Sequence, residues 1–245
     1  MRLLLLAGTQ EARQIVAALK SVTGLGLTVS VARPMRPPEA FGVATRIGGF
    51  GGDDGFRSYL KEEQVGAVLD ATHPFAARVS MRSARICREL GVPYGQLLRP
   101  PWLPGPGDRW HFAEDETAAG AFVPSGVCVF IGTGQHRLDA FGPMPGRRVF
   151  VRQIDHAPLH HPPFEDGMWI VGHPPFDAEG EIKLFGELGI DWLVVRNAGG
   201  AASRPKLDAA RELGIEVAMI RRPPRPEAVR FDTIAGAIAW ARRVE

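Results

Sequence analysis

Leu3-Leu4-Leu5-Leu6-Ala7-Gly8-Thr9-Gln10-Glu11-Ala12, near the start of a 245-residue chain, decides the architecture. A short apolar run stopped by glycine reads as a strand buried on both faces, which is the signature of a parallel sheet. Thr9 then caps a helix whose apolar Ala12, Ile15, Val16 and Leu19 fall at i, i+3, i+4 and i+7. Strand, tight turn and helix make up the repeating unit of an α/β fold. Working outward, Leu27 to Val31 alternates as a second strand, Asp53 to Glu63 predicts a helix, Ala67 to Asp70 a buried strand, and Val79, Ile86 and Leu90 a further helical stripe.

Three near-repeats, Arg88-Glu89-Leu90-Gly91-Val92, Glu187-Leu188-Gly189-Ile190 and Arg211-Glu212-Leu213-Gly214-Ile215, each fit a helix end with glycine in the left-handed position before the chain re-enters a sheet. Arg99 to Asp108 holds four prolines and reads as a linker. The pattern then restarts with an apolar strand at Val127 to Ile131 closed by Gly132-Thr133. Strands follow at Trp169 to Val171, Trp192 to Val195 and Glu216 to Ile220, with helices at Ala178 to Leu188 and Pro205 to Leu213. The expected organisation is two Rossmann-like parallel-sheet domains, residues 1–98 and 125–245, joined by a proline-rich stretch over 99–124.

Hydrophobic residues at 45% and charged residues at 23% exclude a disordered chain, and Cys87 and Cys128 match no disulfide or zinc pattern. Basic residues outnumber acidic ones by 29 to 27, so no field for non-specific nucleic-acid binding exists. No apolar run is long enough to span a membrane, and a cytoplasmic protein, monomeric or weakly homo-oligomeric, is expected. Of the 29 cations 25 are arginine. This reflects either a coding bias or a need to grip carboxylates and phosphates with two prongs.

In an open parallel sheet ligands bind outside the carboxyl ends of the strands. Four loops fall there. Gly8 to Glu11 offers backbone and a Thr hydroxyl to a phosphate, or is an ordinary capped turn. Asp70-Ala71-Thr72-His73-Pro74-Phe75 packs an acid, a hydroxyl and an imidazole before a helix. Asp70 reads as a backbone cap rather than an acid catalyst, and His73 as either a proton donor and anion ligand or a helix cap. Gly132 to Gln135 closes the restarted strand. Asn197 to Lys206 presents bare backbone to a flat ligand and then two cations, or is a loop without one. After the second strand, where a NAD site would carry an acid, stands Arg33, with Arg36 close by. Arg33 thus suits the 2′-phosphate of NADP or simply solvates a loop.

No Walker A sequence, G-x-S-x-G elbow or Tyr-x-x-x-Lys pair is present. His156 and His160 have helical spacing, but Pro158, Pro162 and Pro163 argue against a helix there, and no metal is expected.

The chain resembles the precorrin-6A reductase family of cobalamin biosynthesis. The resemblance rests on Gly8-Thr9-Gln10-Glu11-Ala12-Arg13, Asp70-Ala71-Thr72-His73-Pro74-Phe75-Ala76, Gly132-Thr133-Gly134 and Asn197-Ala198-Gly199-Gly200 followed by Lys206, in the family's order. It implies two Rossmann-like domains with the active site in the cleft between them, NADPH as hydride donor, and precorrin-6A as a tetrapyrrole substrate reduced to precorrin-6B. It further implies a cofactor held by Gly8, Thr9, Gln10, Glu11, Ala12, Arg33, Ala71, Thr72, Gly132, Thr133, Gly134, Asn197, Gly199 and Gly200. Arg137, Arg204 and Lys206, with His73, would meet the substrate's carboxylates. Where relatives carry Ser before the last glycine pair this chain has Arg196-Asn197-Ala198, so no Ser hydroxyl acts there. Hydride transfer of this kind needs positioning rather than a nucleophile, and the catalytic proton donor is left unassigned. The loops alone also fit an NADPH-dependent reductase of another planar polyacid, or a non-catalytic NADP(H) sensor.

Overall fold

The leucine run forms β1 (Arg2–Ala7) in a computed structural model that describes residues 1–32, 41–135, 137–154 and 160–244. Thr9 is the N-cap of α1 (Gln10–Leu19), with φ −133° and its Oγ1 accepting from the Ala12 amide at 3.3 Å. The chain continues through β2 (Gly26–Val31), β3 (Ala44–Ile47), α2 (Gly52–Glu62), β4 (Ala67–Ala71), α3 (Ala77–Leu90) and β5 (Tyr94–Leu97). Next come β6 (Arg109–Ala113), α4 (Glu116–Phe122), β7 (Cys128–Ile131), a 3-10 turn (Leu138–Phe141), β8 (Arg148–Ile154), β9 (Asp166–Gly172), α5 (Ala178–Leu188), β10 (Trp192–Arg196), α6 (Pro205–Leu213) and β11 (Glu216–Ile220). β12 (Val229–Phe231) and α7 (Ile234–Ala241) end the described chain. Gly91, Gly189 and Gly214 close α3, α5 and α6 at φ 69°, 61° and 67°, the left-handed joints that the near-repeats predict.

Two six-stranded, wholly parallel sheets result, ordered β12-β5-β4-β1-β2-β3 and β6-β11-β10-β7-β8-β9. Each is a doubly wound order whose direction reverses beside its first strand, between β1 and β4 and between β7 and β10. The sixth strands are exchanged. β6, which follows β5 in sequence, completes the second sheet, whereas β12, which follows β11, completes the first. The compact units are accordingly residues 1–100 with 224–245, and 101–223.

The expected boundaries need correction on both counts. The stretch 99–124 is not all linker, because Arg109–Ala113 pairs in register with β11 from Arg109 against Glu216 to Ala113 against Ile220. The second unit does not run to 245, because Val229 to Phe231 pair with Gly95 to Leu97.

In the first unit, Leu3, Leu5 and Ala7 face α1 and α7, while Leu4 and Leu6 face α2 and α3. The period of two thus delivers leucine to both faces, each buried side chain contributing about 1.5–3 kcal/mol. In the second unit Phe130, Leu193, Val217 and Met219 pack beneath Phe185 of α5 and Leu207 of α6. Among the described residues no helix is long and apolar enough to cross a membrane.

Candidate active site

The first unit's reversal point is built by loops after β1, β4 and β5. Thr9, Glu11, Thr72, Pro74, Leu97 and Arg99 line a narrow crevice there. Thr9 ties two of these loops together. Its hydroxyl donates to Ala71 O at 2.9 Å while accepting from the Ala12 amide, so it is committed within the protein rather than free for a phosphate. Gly8 lies against the same neighbour, and a Cβ there would sit 3.6 Å from His73 N and 3.7 Å from Thr72 Cα. Backbone amides at the start of α1, not the Thr9 hydroxyl, are the donors this turn offers.

Glu11, at the first turn of α1, pairs with Arg99 beyond β5 at 2.5 Å. Burial works against the Glu11 charge, but the Arg99 hydrogen bond and charge and the Thr9 hydroxyl outweigh it and hold its pKa below the usual carboxylate range. Its second oxygen, Oε2, and the Thr72 hydroxyl are both buried without a hydrogen-bond partner among the described residues. Unpartnered polar atoms are costly to bury, and these two line one crevice at a strand-order reversal. Such a place fits a ligand carrying hydroxyl and amide groups.

The loop after β4 is fixed from beneath. Asp70 is fully buried; its Oδ1 accepts from the Thr72 amide at 2.9 Å and its Oδ2 from the Tyr94 hydroxyl at 2.6 Å and Gln96 Nε2 at 3.2 Å. Asp70 is thus a backbone cap, as its position predicts. Burial, with Asp70 beside it, drives the Tyr94 phenol pKa far upward, so it stays a donor. His73 Nδ1 accepts from the Phe75 amide at 3.2 Å, so this ring nitrogen caps the turn before α3. Arg33 lies outside the described residues.

The second reversal point carries the other two loops. A Cβ on Gly132 would meet Val195 Cγ1 at 3.1 Å and Lys206 Cδ at 3.5 Å, so this loop lies close on Val195 and the lysine stem. Burial lowers the Lys206 ammonium pKa to about 8; Glu181 opposes the shift and Arg152 adds to it. Glu181 is committed elsewhere, to Arg152 at 3.0 Å, with Arg152 also stacked 5.0 Å from the Phe130 ring centre. Among the described residues Lys206 has no ion pair.

The remaining predicted residues are partly spoken for. The Asn197 side chain accepts from Trp102 N at 2.8 Å and donates to Trp102 O at 2.9 Å; Trp102 Nε1 donates to Gly200 O at 2.9 Å, and Arg222 donates to the carbonyls of Asn197 and Ala198. Asn197 is therefore a clamp on its own loop, with Gly199 and Gly200 at φ 69° and 80° beyond it. Arg204 bonds Asp208 at 2.9 Å, and Arg137, at φ 66°, reaches Glu116 at 3.4 Å, where Arg196 also binds. Thr133 and Gly134 follow Gly132 in the half-exposed turn after β7. Of the histidines weighed as ligands, His156 lies outside the described residues, and among those described no group of three His, Cys, Asp or Glu side chains could hold a metal. Sequence reasoning missed Arg99, Trp102 and Arg222, whose partners lie many residues away.

The family model for Precorrin-6x reductase CbiJ/CobK matches residues 2–242. The chain belongs to that family. It is an oxidoreductase of cobalamin biosynthesis that acts on precorrin-6A, at about 40% identity to curated reductases over its full length. The precorrin-6A reductase of Rhodococcus erythropolis is 42% identical over 98% of this chain and 96% of its own. That of Rhodobacter capsulatus is 37% identical over 98% and 95%. A cobalt-precorrin-6A reductase from Methanothermobacter thermautotrophicus is 27% identical over 91% of this chain and 77% of its own. A solved structure titled CobK precorrin-6A reductase superimposes with a TM-score of 0.91 at 36% identity, covering 100% of this chain and 98% of that one. The expected two-sheet Rossmann-like fold agrees with that match.

Proposed function

We propose that this precorrin-6x reductase uses NADPH, held at the reversal point of the first unit, and binds the carboxylate arms of its tetrapyrrole at the second. NADPH, when bound, supplies the hydride for the reduction. Backbone from Gly8 to Ala12 takes the pyrophosphate at the N-terminus of α1, Ala71 and Thr72 line the nicotinamide end, and Arg33, by its position after β2, meets the 2′-phosphate. Glu11 Oε2 and the Thr72 hydroxyl accept and donate where a ribose and carboxamide need partners. His73, on the loop after β4, is assigned to a carboxylate of the substrate.

The observation that carries the substrate half is Lys206, an ammonium held in a desolvated setting with no ion pair among the described residues. A cation kept at such cost fits a site completed by an incoming carboxylate. Arg204 and Arg137, each leaning on an internal acid, stand as further carboxylate ligands. Gly132, Thr133, Gly134, Gly199 and Gly200, which the sequence reading gave to the cofactor, belong to the second unit's own reversal point. We assign their bare backbone to the flat macrocycle, with Asn197 holding the loop. Positioning of both ligands accounts for the acceleration this chain contributes.

Paired titrations with NADPH and NADH, following nicotinamide fluorescence, test the cofactor half. Arg33→Ala should lose NADPH affinity while barely changing that for NADH; equal losses would remove the 2′-phosphate assignment. Lys206→Ala should raise the KM for precorrin-6A with little effect on NADPH binding, and an unchanged KM would move the carboxylate site elsewhere.

A further inference from the structure

Pro101, Pro104 and Pro106 stiffen the segment that leads into β6, and this segment is fastened to the loop 197–204 and to the helix after it. At one end the Asn197 side chain and Gly200 O clamp Trp102. At the other end stands Asp108, whose side chain has no exposed surface. Its Oδ2 accepts from the Gly105 amide at 2.8 Å and from Arg211 Nη2 at 2.9 Å, and its Oδ1 accepts from Arg211 Nε at 3.0 Å. Burial works against the Asp108 charge, but the bonds from Arg211 and Gly105 and the charges of Arg211 and Arg204 outweigh it and hold its pKa below the usual carboxylate range. Asp108 is thus an anion fixed at the end of a stiff strap.

Arg204 completes the arrangement. It is the N-cap of α6, and its amide donates to Ala201 O at 3.0 Å. Its Nε donates to Asp208 Oδ1 at 2.9 Å, its Nη2 lies 4.0 Å from Asp108 Oδ2, and its guanidinium stands 5.9 Å from the Trp110 ring centre. Asp208 Oδ1 is also 3.9 Å from Arg211 Nη1, so two acids and two arginines alternate in a quartet with no net charge. Arg211 and Asp108 satisfy each other with two parallel bonds. Arg204 is different. Among the described residues neither of its terminal nitrogens donates a hydrogen bond, and 25% of its side chain is exposed. An unrestrained arginine would spread over many rotamers, and ordering it on binding costs affinity. Here one edge of the plane is already held by Asp208 and Asp108, and the terminal edge is left for an incoming carboxylate.

We propose that Asp108 and Asp208 are positioning residues for Arg204: one from the proline strap and one from α6, they aim its terminal nitrogens so that a substrate carboxylate meets a preset fork. That Arg204 receives a carboxylate of the tetrapyrrole rests on the reading above; the hold on Arg204 does not. Neither acid can help by attraction, since each repels a carboxylate. Removing either one makes the place more cationic, which by charge alone would tighten substrate binding, whereas loss of aim weakens it. The two effects have opposite signs.

The test compares the full chain as wild type, Asp108→Asn, Asp208→Asn, Arg204→Ala and the two double variants that combine Arg204→Ala with either acid change. The KM for precorrin-6A, kcat and the NADPH Kd are measured, together with hydrogen exchange of the segment 199–206 in the free protein. Each acid variant should raise the KM by about 10-fold while kcat and the NADPH Kd stay within about twofold of wild type. Each should also speed exchange in the segment by about 10-fold, because the Arg204 amide and side chain are anchored together. Arg204→Ala should raise the KM at least as much, and the double variants should be no worse than Arg204→Ala alone, since the acids act through that side chain. A merely structural acid would lower the unfolding midpoint, and its effect on KM would multiply with that of Arg204→Ala. Multiplying effects would therefore overturn the proposal, as would an unchanged or lowered KM in the acid variants when Arg204→Ala raises it. If Arg204→Ala keeps the wild-type KM while exchange quickens in the acid variants, the substrate reading of Arg204 fails and the hold on its side chain stands. Asp208 is partly exposed, so its variant decides the matter even if Asp108→Asn does not fold.

Discussion

Replacing Lys206 with Met should make the protein more stable at neutral pH while impairing its function. The ammonium pKa falls from 10.5 to about 8 on folding. At about 1.4 kcal/mol per pH unit, the folded state gives up about 3 kcal/mol to keep Lys206 charged below pH 8. Part of the residue's surface remains open, and solvent there reduces the recoverable share to about 1–2 kcal/mol. Met matches the lysine stem in length and leaves the Glu181–Arg152 pair intact. The sign follows from proton counting. Between about pH 8 and 10.5 the unfolded chain binds more protons at this site than the folded one, so wild-type stability rises with pH across that window. The advantage of the variant should therefore be full below pH 8, shrink through the window and vanish above it. Urea unfolding followed by tryptophan fluorescence suits the measurement, because four of the five tryptophans, at 102, 110, 169 and 192, lie in the second unit. A destabilised variant, or a gain that does not change between pH 7 and 10.5, would refute the assignment of Lys206 as a desolvated ammonium.

Thr9→Val removes both the cap of α1 and the tie to Ala71, and should cost about 1–2 kcal/mol in denaturant unfolding of the first unit; an unchanged midpoint would show that neither bond matters. Asn197→Ala strands two backbone groups of Trp102 and should destabilise the second unit by about 2–4 kcal/mol while raising the KM for the tetrapyrrole, with calorimetry and kinetics as the checks. Burial pushes the Cys87 thiol up to about 12. In the native protein at pH 8 it should resist iodoacetamide over hours and react only on unfolding, which mass spectrometry of the alkylated peptide decides.

The strands and helices with strong periodicity were legible: β1, β2, β4, β7, β10 and β11 are short apolar runs, and the three glycine joints mark where α3, α5 and α6 stop. The reversal points followed from these, because loops after buried strands are the ligand-facing ones in a parallel sheet. Other elements carried no local signal. Arg109–Ala113 mixes polar and aromatic residues behind four prolines, and Val229–Phe231 has three residues, so each becomes a strand only through a neighbour far away in sequence. The same limit applied to the site. That Thr9 is committed to Ala71, Asn197 to Trp102 and Glu11 to Arg99 depends on pairings 62 to 95 residues apart, which spacing does not encode. Lys206 was singled out for its charge; that the charge is desolvated emerged only with Gly132 lying on its stem.

The exchange of the sixth strands also sets an order of events during synthesis. The first sheet has five of its strands by residue 97, yet β12 and α7, which cover Gly95 and seal the face occupied by α1, leave the ribosome after the whole of the second unit. The second unit, by contrast, already holds its outermost strand before its first one is made. The nascent chain must therefore carry an unfinished sheet edge and an uncovered leucine-rich face for more than a hundred residues, a state open to aggregation. Lesions near residue 230 should consequently damage the unit built from the first hundred residues, and expression at lower temperature or with a chaperone that shields apolar surface should rescue them.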